Sequence, residues 1–265
     1  MSSYIDLHNH ILPALDDGPA DMAESVLLAR DLAEAGYSTI VATPHARGGS
    51  PSPQLIKKKI ARLQEELDRL EIPLKILPGS EQHIEPDTFK LLEAGRIITL
   101  NQTRYLLLEL PMFQPLPLYT EQVLEEVTGG GYIPVIPHPE RVIALQMNNQ
   151  VLHRLYDSGA LFQVTWAAFT GLLGPAAAKT ARYMLEAGLV HFLATDAHHP
   201  ESRLLALDKA VRVLEKTRDP AFIRTLLTER PRLLLEDKPL TLPEPASTPP
   251  LPARRVPILS RLFRV

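Results

Sequence analysis

Tyr4-Ile5-Asp6-Leu7 is a short, largely apolar run that leads into His8-Asn9-His10, a pair of imidazoles two residues apart. Alternate side chains of a strand share a face, so His8 and His10 point the same way. Far along the chain, Phe192-Leu193-Ala194 runs into Thr195-Asp196-Ala197-His198, which sets Asp196 and His198 at the same i, i+2 spacing. Closing a barrel makes its first and last strands neighbours, which brings these two pairs together. Between them, short apolar runs at 39–42, 75–77, 105–110, 133–136 and 161–164 join 4–7 and 192–194 as predicted strands. Amphipathic stretches at 22–35, 54–70, 88–93, 119–128, 151–157 and 175–186 separate them, and 202–216 and 221–227 follow the last. Gly36, Gly159 and Gly188 stand where a helix stops and the chain turns into the next strand. Repeated strand–helix units predict a parallel sheet with helices packed outside it. About seven units point to a closed or nearly closed (β/α) barrel, with a doubly wound open sheet as the alternative.

After Asp237 the composition changes. Pro239, Pro243, Pro245, Pro249, Pro250, Pro252 and Pro257 exclude a helix or central strand, so 238–265 reads as a disordered linker and tail beyond a domain at 1–237. The tail mixes Arg254, Arg255, Arg261 and Arg264 with Ile258, Leu259, Leu262 and Phe263, a mixture able to touch anionic lipid weakly or to end as a solvated terminus.

The 265 residues are 45% apolar, ample for a buried core, and the formal charge of −3 gives no case for a nucleic-acid binder. Cysteine is absent, which removes disulfides, thiolate metal sites and the cysteine nucleophile. The first residues lack the pattern of a signal peptide, and no apolar run approaches the ~20 residues of a membrane span, so the cytoplasm is the expected location.

The remaining predicted strands deliver His45, Glu81, Glu109 and His138 at or just beyond their carboxyl ends, and Asp17 stands in the loop after the first strand. That is the end at which parallel α/β folds build active sites. One histidine there is usually a packing residue; six strand ends each supplying a ligand type are not explained by packing. A dry cluster of unpaired acids and imidazoles costs several kcal/mol per buried charge, which divalent cations offset. The set His8, His10, Asp17, His45, Glu81, Glu109, His138, Asp196 and His198 exceeds one ion's needs, so two or three ions are expected, with Glu81 bridging. Nitrogen and oxygen donors suit Mn²⁺, Fe²⁺ or Zn²⁺ rather than calcium, and such centres typically hydrolyse phosphate esters through a metal-activated hydroxide.

Asp6-Leu7-His8-Asn9-His10-Ile11-Leu12-Pro13, Asp16-Asp17-Gly18, Ala42-Thr43-Pro44-His45, His138-Pro139-Glu140-Arg141 and Thr195-Asp196-Ala197-His198 together resemble the PHP (polymerase and histidinol phosphatase) superfamily. More narrowly they resemble its bacterial branch of manganese-dependent protein-tyrosine phosphatases encoded with capsule and exopolysaccharide genes, over roughly residues 4–235. The resemblance implies a distorted, TIM-like (β/α)₇ barrel with a trinuclear centre, Mn²⁺ foremost. His8, His10, Glu81 and Asp196 would hold one ion. His45, Glu109 and His138 would gather around the others, and Asp17 and His198 would complete the third position. Arg141 and Arg203 match arginines that serve the phosphate, a role suited to a planar guanidinium. The implied partner is an autophosphorylating tyrosine kinase of polysaccharide export, at the inner face of the membrane. A small-molecule phosphatase such as histidinol phosphatase is the rival reading.

His45 and His198 are candidates to protonate the leaving group. Arg47 is a candidate for further charge on the phosphate and His83 for the pocket wall. Asp6 has ligand-like phase but reads as an acid behind the ligands, orienting an imidazole. His153, His191 and Trp166 read as structural.

Overall fold

In the computed structural model, which describes residues 3–200, 207–216, 218–242 and 245, parallel strands alternate with helices along the chain. A three-stranded sheet has the order β1 (Tyr4–Asn9), β2 (Tyr37–Ala42), β4 (Lys75–Pro78). A six-stranded sheet has the order β3 (His45–Ala46), β5 (Glu81–His83), β6 (Tyr105–Glu109), β7 (Ile133–Pro137), β8 (Leu161–Thr165), β9 (Phe192–Ala194). β2 runs on into β3 after Thr43-Pro44, and β4 into β5 after Gly79-Ser80, so the two sheets are continuations of one another. Proline supplies no N–H to a ladder, which accounts for a break at Pro44 and after Pro78. At the seam between first and last strands there is no ladder but a single bridge, Asn9 to Ala197. Two backbone hydrogen bonds flank it, His10 N to Ala197 O and Asp196 N to His8 O, both 3.0 Å. The seven-unit barrel is therefore distorted, and its looseness lies where the ligand motifs meet.

Each predicted strand is present: five gain a residue or two at an end, the run at 105–110 ends one residue earlier, at Glu109, and 192–194 is unchanged; β3 and β5 are additions, too short to carry a period. The helices are α1 (Met22–Glu34), α2 (Pro53–Arg69), α3 (Thr88–Glu93), α4 (Thr120–Gly129), α5 (Ile143–Met147), α6 (Gln150–Asp157), α7 (Pro175–Glu186), α8 (Leu207–Glu215), α9 (Pro220–Arg224) and α10 (Arg230–Leu235). α2 shows why they form: Ser52 caps it by accepting from Leu55 N, Pro53 opens it, and Ile56, Ile60, Leu63 and Leu67 make its buried stripe. Gly36, Gly159 and Gly188 take φ of 93°, 93° and 74°, the left-handed turn that stops α1, α6 and α7.

The helix expected at 221–227 instead continues to Leu235. Pro231 would clash with a regular turn before it, and the π-turn Thr225–Glu229 widens the coil there. The expected helix at 202–216 is described only from Leu207 onward. The chain also packs past Asp237: Tyr105 Oη donates to the Lys238 carbonyl, and Leu240 and Leu242 lie against the barrel interior. Residues 243, 244 and 246–265, most of the expected linker and its basic tail, lie outside the described residues.

Two apolar layers result. The outer one fills the space between strands and helices; the inner one plugs the barrel with residues that include Ile5, Leu7, Val41, Tyr105, Leu107, Val135, Leu161 and Phe192. Period two then determines what stands above the plug. On β6, Tyr105 and Leu107 are followed by Glu109, and on β8, Leu161 is followed by Gln163. The carboxyl end of the barrel is thus polar inside.

Candidate metal centre and active site

His8, His10 and Glu81 are fully buried, and His138 and Asp196 nearly so. Their donor atoms converge. Glu81 Oε2 lies 2.8 Å from His45 Nδ1 and 3.4 Å from both His8 Nε2 and His10 Nε2, yet none of these is aligned as a hydrogen bond to it. Its other oxygen meets His138 Nε2 at 2.7 Å. Asp196 Oδ1 is 3.4 Å from His8 Nε2, 3.5 Å from His10 Nε2 and 3.7 Å from His198 Nδ1. Glu109 reaches within 4.0 Å of His45 and 3.9 Å of His138. At the open end Asp17, whose side chain is 66% exposed, lies 3.3 Å from both His45 Nε2 and His198 Nε2.

Three donor groups follow: His8, His10 and Glu81; His45, Glu81 and Glu109; and His10, Asp17, His45 and His198. His138 adjoins through Glu81 and Glu109, and Asp196 through His8, His10 and His198, so all nine residues expected as ligands meet at one barrel mouth. Glu81, His10 and His45 each belong to two of these groups.

The residues fit divalent cations. His8 Nδ1 faces Gln163 Oε1 at 2.7 Å and His10 Nδ1 faces Asp16 Oδ2 at 2.8 Å. Both partners accept, so each Nδ1 carries a proton and each Nε2 turns a lone pair inward when the ring is neutral. The two Nε2 atoms are 3.1 Å apart. Donors ~2.1 Å from one cation have about this spacing, whereas two bare lone pairs repel. By themselves the protein groups balance their charge with protons. Burial disfavours charge on His8 and His10, but Glu81 and Asp196 for His8, and Asp16 and Glu81 for His10, outweigh it and lift both to about 9. Burial and the His10 charge push His198 down to about 4. Against the cost of burial, the surrounding imidazoles hold Glu81 well below the usual carboxylate range. Cations compete with those protons for the same lone pairs.

Local backbone devices aim the side chains. Strict alternation from Ile5 would keep Asp6, His8 and His10 on one face, away from Leu7. A register shift between Asp6 and Asn9 lets Leu7 join the plug while His8 and His10 join the centre. His138 and Asp196 both hold positive φ, 36° and 51°, at strand ends, a strained conformation for residues with a Cβ. The left-handed turn at His138 starts the 3₁₀ turn Pro139–Arg141, which carries Arg141 to the mouth, where its Nη1 is 2.6 Å from Asp196 Oδ2. Gly18 lies against the His10 carbonyl, where an added Cβ would sit 2.1 Å from that oxygen; the close approach folds the Asp16-Asp17 loop over the centre.

Other expectations fare differently. Arg203 lies outside the described residues. Arg47 pairs with Glu85 at 3.3 Å and is largely exposed. His83 turns towards Glu109, 3.7 Å away. Asp6 does not orient an imidazole: it accepts from Asn9 Nδ2, Thr195 N and Thr195 Oγ1, tying β1 to the chain after β9. The acid behind an imidazole is Asp16, which also accepts from His45 N at 3.0 Å. Sequence reading passed over Asp16 beside Asp17, and it passed over Gln163, the one polar side chain in Leu161-Phe162-Gln163-Val164 and a readable signal. Trp166 is buried in the outer layer, and His153 bonds Tyr183 Oη at 2.8 Å. Above the donors is a cavity of about 350 Å³ bordered by Asp17, Glu109, His138, Arg141, Asp196 and His198 among others.

Known proteins resemble this chain in sequence and in fold. A tyrosine-protein phosphatase of Bacillus subtilis, YwqE, is 36% identical over 253 residues, 95% of this chain and 97% of its own. The tyrosine-protein phosphatase CpsB of Streptococcus pneumoniae is 32% identical over 242 residues, 88% of this chain and 99% of its own. A crystal structure from work on YwqE and CpsB, described as unique metal-dependent tyrosine phosphatases, superposes with a TM-score of 0.85 at 36% identity, covering 92% of this chain and all of that one. The family model for capsular polysaccharide synthesis, CpsB/CapC, matches residues 4–236, and this chain belongs to that family.

Proposed function

We propose that this chain is a metal-dependent protein-tyrosine phosphatase that works on an autophosphorylating tyrosine kinase of polysaccharide export, in the cytoplasm at the membrane's inner face. The observation that carries the reading is the convergence of three donor groups beneath a cavity bordered by Arg141. The activity named for the Bacillus and Streptococcus relatives supports it. Among the described residues no helix is long and apolar enough to cross a membrane.

The ligands would be His8, His10, Asp17, His45, Glu81, Glu109, His138, Asp196 and His198, holding two or three ions, Mn²⁺ foremost, with Fe²⁺ and Zn²⁺ also matching the donors. Bound there, divalent cations supply Lewis acidity towards phosphoryl oxygens and make water a nucleophile at neutral pH. The chain's own residues do the rest. Arg141, part-exposed and paired with Asp196, offers guanidinium N–H groups to phosphoryl oxygens that gain charge in the transition state. Arg203 is assigned the same task by its resemblance to the family's arginine after the last ligand pair. His45 and His198 stand at the open end. Against the cost of burial the Glu81 carboxylate favours a proton on His45, whereas His198 is pushed down to about 4, so His45 is the ring placed to carry a proton to the leaving phenolate oxygen. A phenol of pKa ~10 leaves readily, so that proton matters less than for a serine ester. With no cysteine in the chain, a thiolate nucleophile has no source.

The test is turnover of phosphotyrosine peptide and histidinol phosphate by chelated enzyme with Mn²⁺ added back. Mn²⁺-dependent release of phosphate from the peptide, abolished in Asp196→Asn with the fold intact, is expected. Turnover of histidinol phosphate alone overturns the assignment in favour of a small-molecule phosphatase.

A further inference from the structure

Beside the cavity above the donor groups lies a second hollow of about 380 Å³, and the two share Met112 and Arg141. Its walls come from three strand-end segments: Met112 and Phe113 after β6, Ile143 at the start of α5, and Leu173 before α7. Ile143 N–H donates to the Met112 carbonyl at 2.9 Å, which ties two of those walls together. Arg141 is the one charged side chain on its lining. Phe113 is 77% exposed, Ile143 40%, and Met147, one helical turn beyond Ile143, 82%. Scattered exposed apolar residues are ordinary; a set gathered beside a reaction cavity is a place for an apolar group to leave water.

We propose that this hollow holds an apolar side chain one or two residues from the phosphotyrosine of the substrate protein. The inference rests on the phosphatase reading above. Arg141 borders both spaces, with Nη1 2.6 Å from Asp196 on the catalytic side, so a phosphoryl group engaged there lies within one side chain's reach of the hollow. An extended peptide advances ~3.3 Å per residue, and its neighbouring side chain spans that gap. A compact phosphate monoester has no part that fills both spaces. The hollow therefore selects a phosphopeptide with an apolar neighbour over one with a small polar neighbour.

The experiment uses the full chain with Mn²⁺ and phosphotyrosine peptides of equal length and charge, differing only in Leu or Ser at the positions flanking phosphotyrosine. The Leu peptides should show a KM lower by about tenfold with kcat unchanged, the size expected for taking one such side chain from water. In Ile143→Ser, with an unaltered melting temperature, the Leu/Ser difference should shrink below about threefold. Equal KM for both peptides in the parent chain overturns the inference, whether or not the variant folds. So does a Leu preference that Ile143→Ser leaves untouched. No turnover of any phosphotyrosine peptide sinks the phosphatase reading itself, and this one with it.

Discussion

His10 is gripped from behind by Asp16 and faces His8 and Glu81 in front, and each contact sets one property of its ring. The carboxylate keeps the proton on Nδ1 and leaves Nε2 for a cation. Asp16→Asn should therefore lower Mn²⁺ affinity by about 10–100-fold, with turnover recovered at high Mn²⁺. A metal titration followed by phosphatase activity checks it; unchanged affinity would mean the carboxylate only braces the loop. His191 is a buried imidazole with a different task. Its Nδ1 accepts from Phe162 N at 2.9 Å, its ring stacks on Tyr156, and burial next to Arg230 pushes it down to about 3. Below its ordinary 6.5 the unfolded chain takes up a proton that the folded chain refuses. Its contribution is whole above pH 6.5 and declines as pH falls towards 3, by up to ~1.4 kcal/mol per unit. His191→Asn should make the loss of stability between pH 6.5 and 4.5 shallower than in the parent chain, as read from urea midpoints at both pH values.

At the scale of elements, the strands carry an apolar plug below and ligands above because alternation persists along each one, while irregularities do the aiming. The shift in β1, the positive φ of His138 and Asp196, and the approach of Gly18 to His10 all lie within a few residues of the donors. Gly18→Ala pushes a Cβ into the His10 carbonyl, so the Asp16-Asp17 loop must move. A loss of ~1–3 kcal/mol in stability is expected, with weaker Mn²⁺ uptake, measurable by denaturation and by metal titration. Full Mn²⁺ affinity in that variant would show that the loop adapts without disturbing His10. Away from the mouth, the π-turn Thr225–Glu229 is an irregularity that makes room for Pro231 in the helix that follows.

For the molecule as a whole, the centre is the seam: ligands from both ends of the chain meet where the barrel has a bridge rather than a ladder. Cations held there cross-link the first and last strands, so Mn²⁺ should raise the melting temperature and EDTA should lower it. Because His8 and His10 hold protons up to about 9, a cation must displace them at lower pH. Apparent Mn²⁺ affinity should rise between pH 6.5 and 8.5; a flat profile would mean those rings are not ligands. The seven longer strand runs, the helix stops and the nine side chains that gather at the barrel mouth were legible in the sequence, since apolar period and residue chemistry are local properties that survive without a partner. Asp16, Gln163, the breaks at Pro44 and Pro78 and the fate of Asp6 were not, because which side chain stands behind an imidazole depends on contacts such as Gln163 to His8, 155 residues apart. Sequence by itself determined that acids and imidazoles end parallel strands; only the tertiary structure decided which of them face the same point, since register and backbone twist at the seam are set by the packing of the whole barrel.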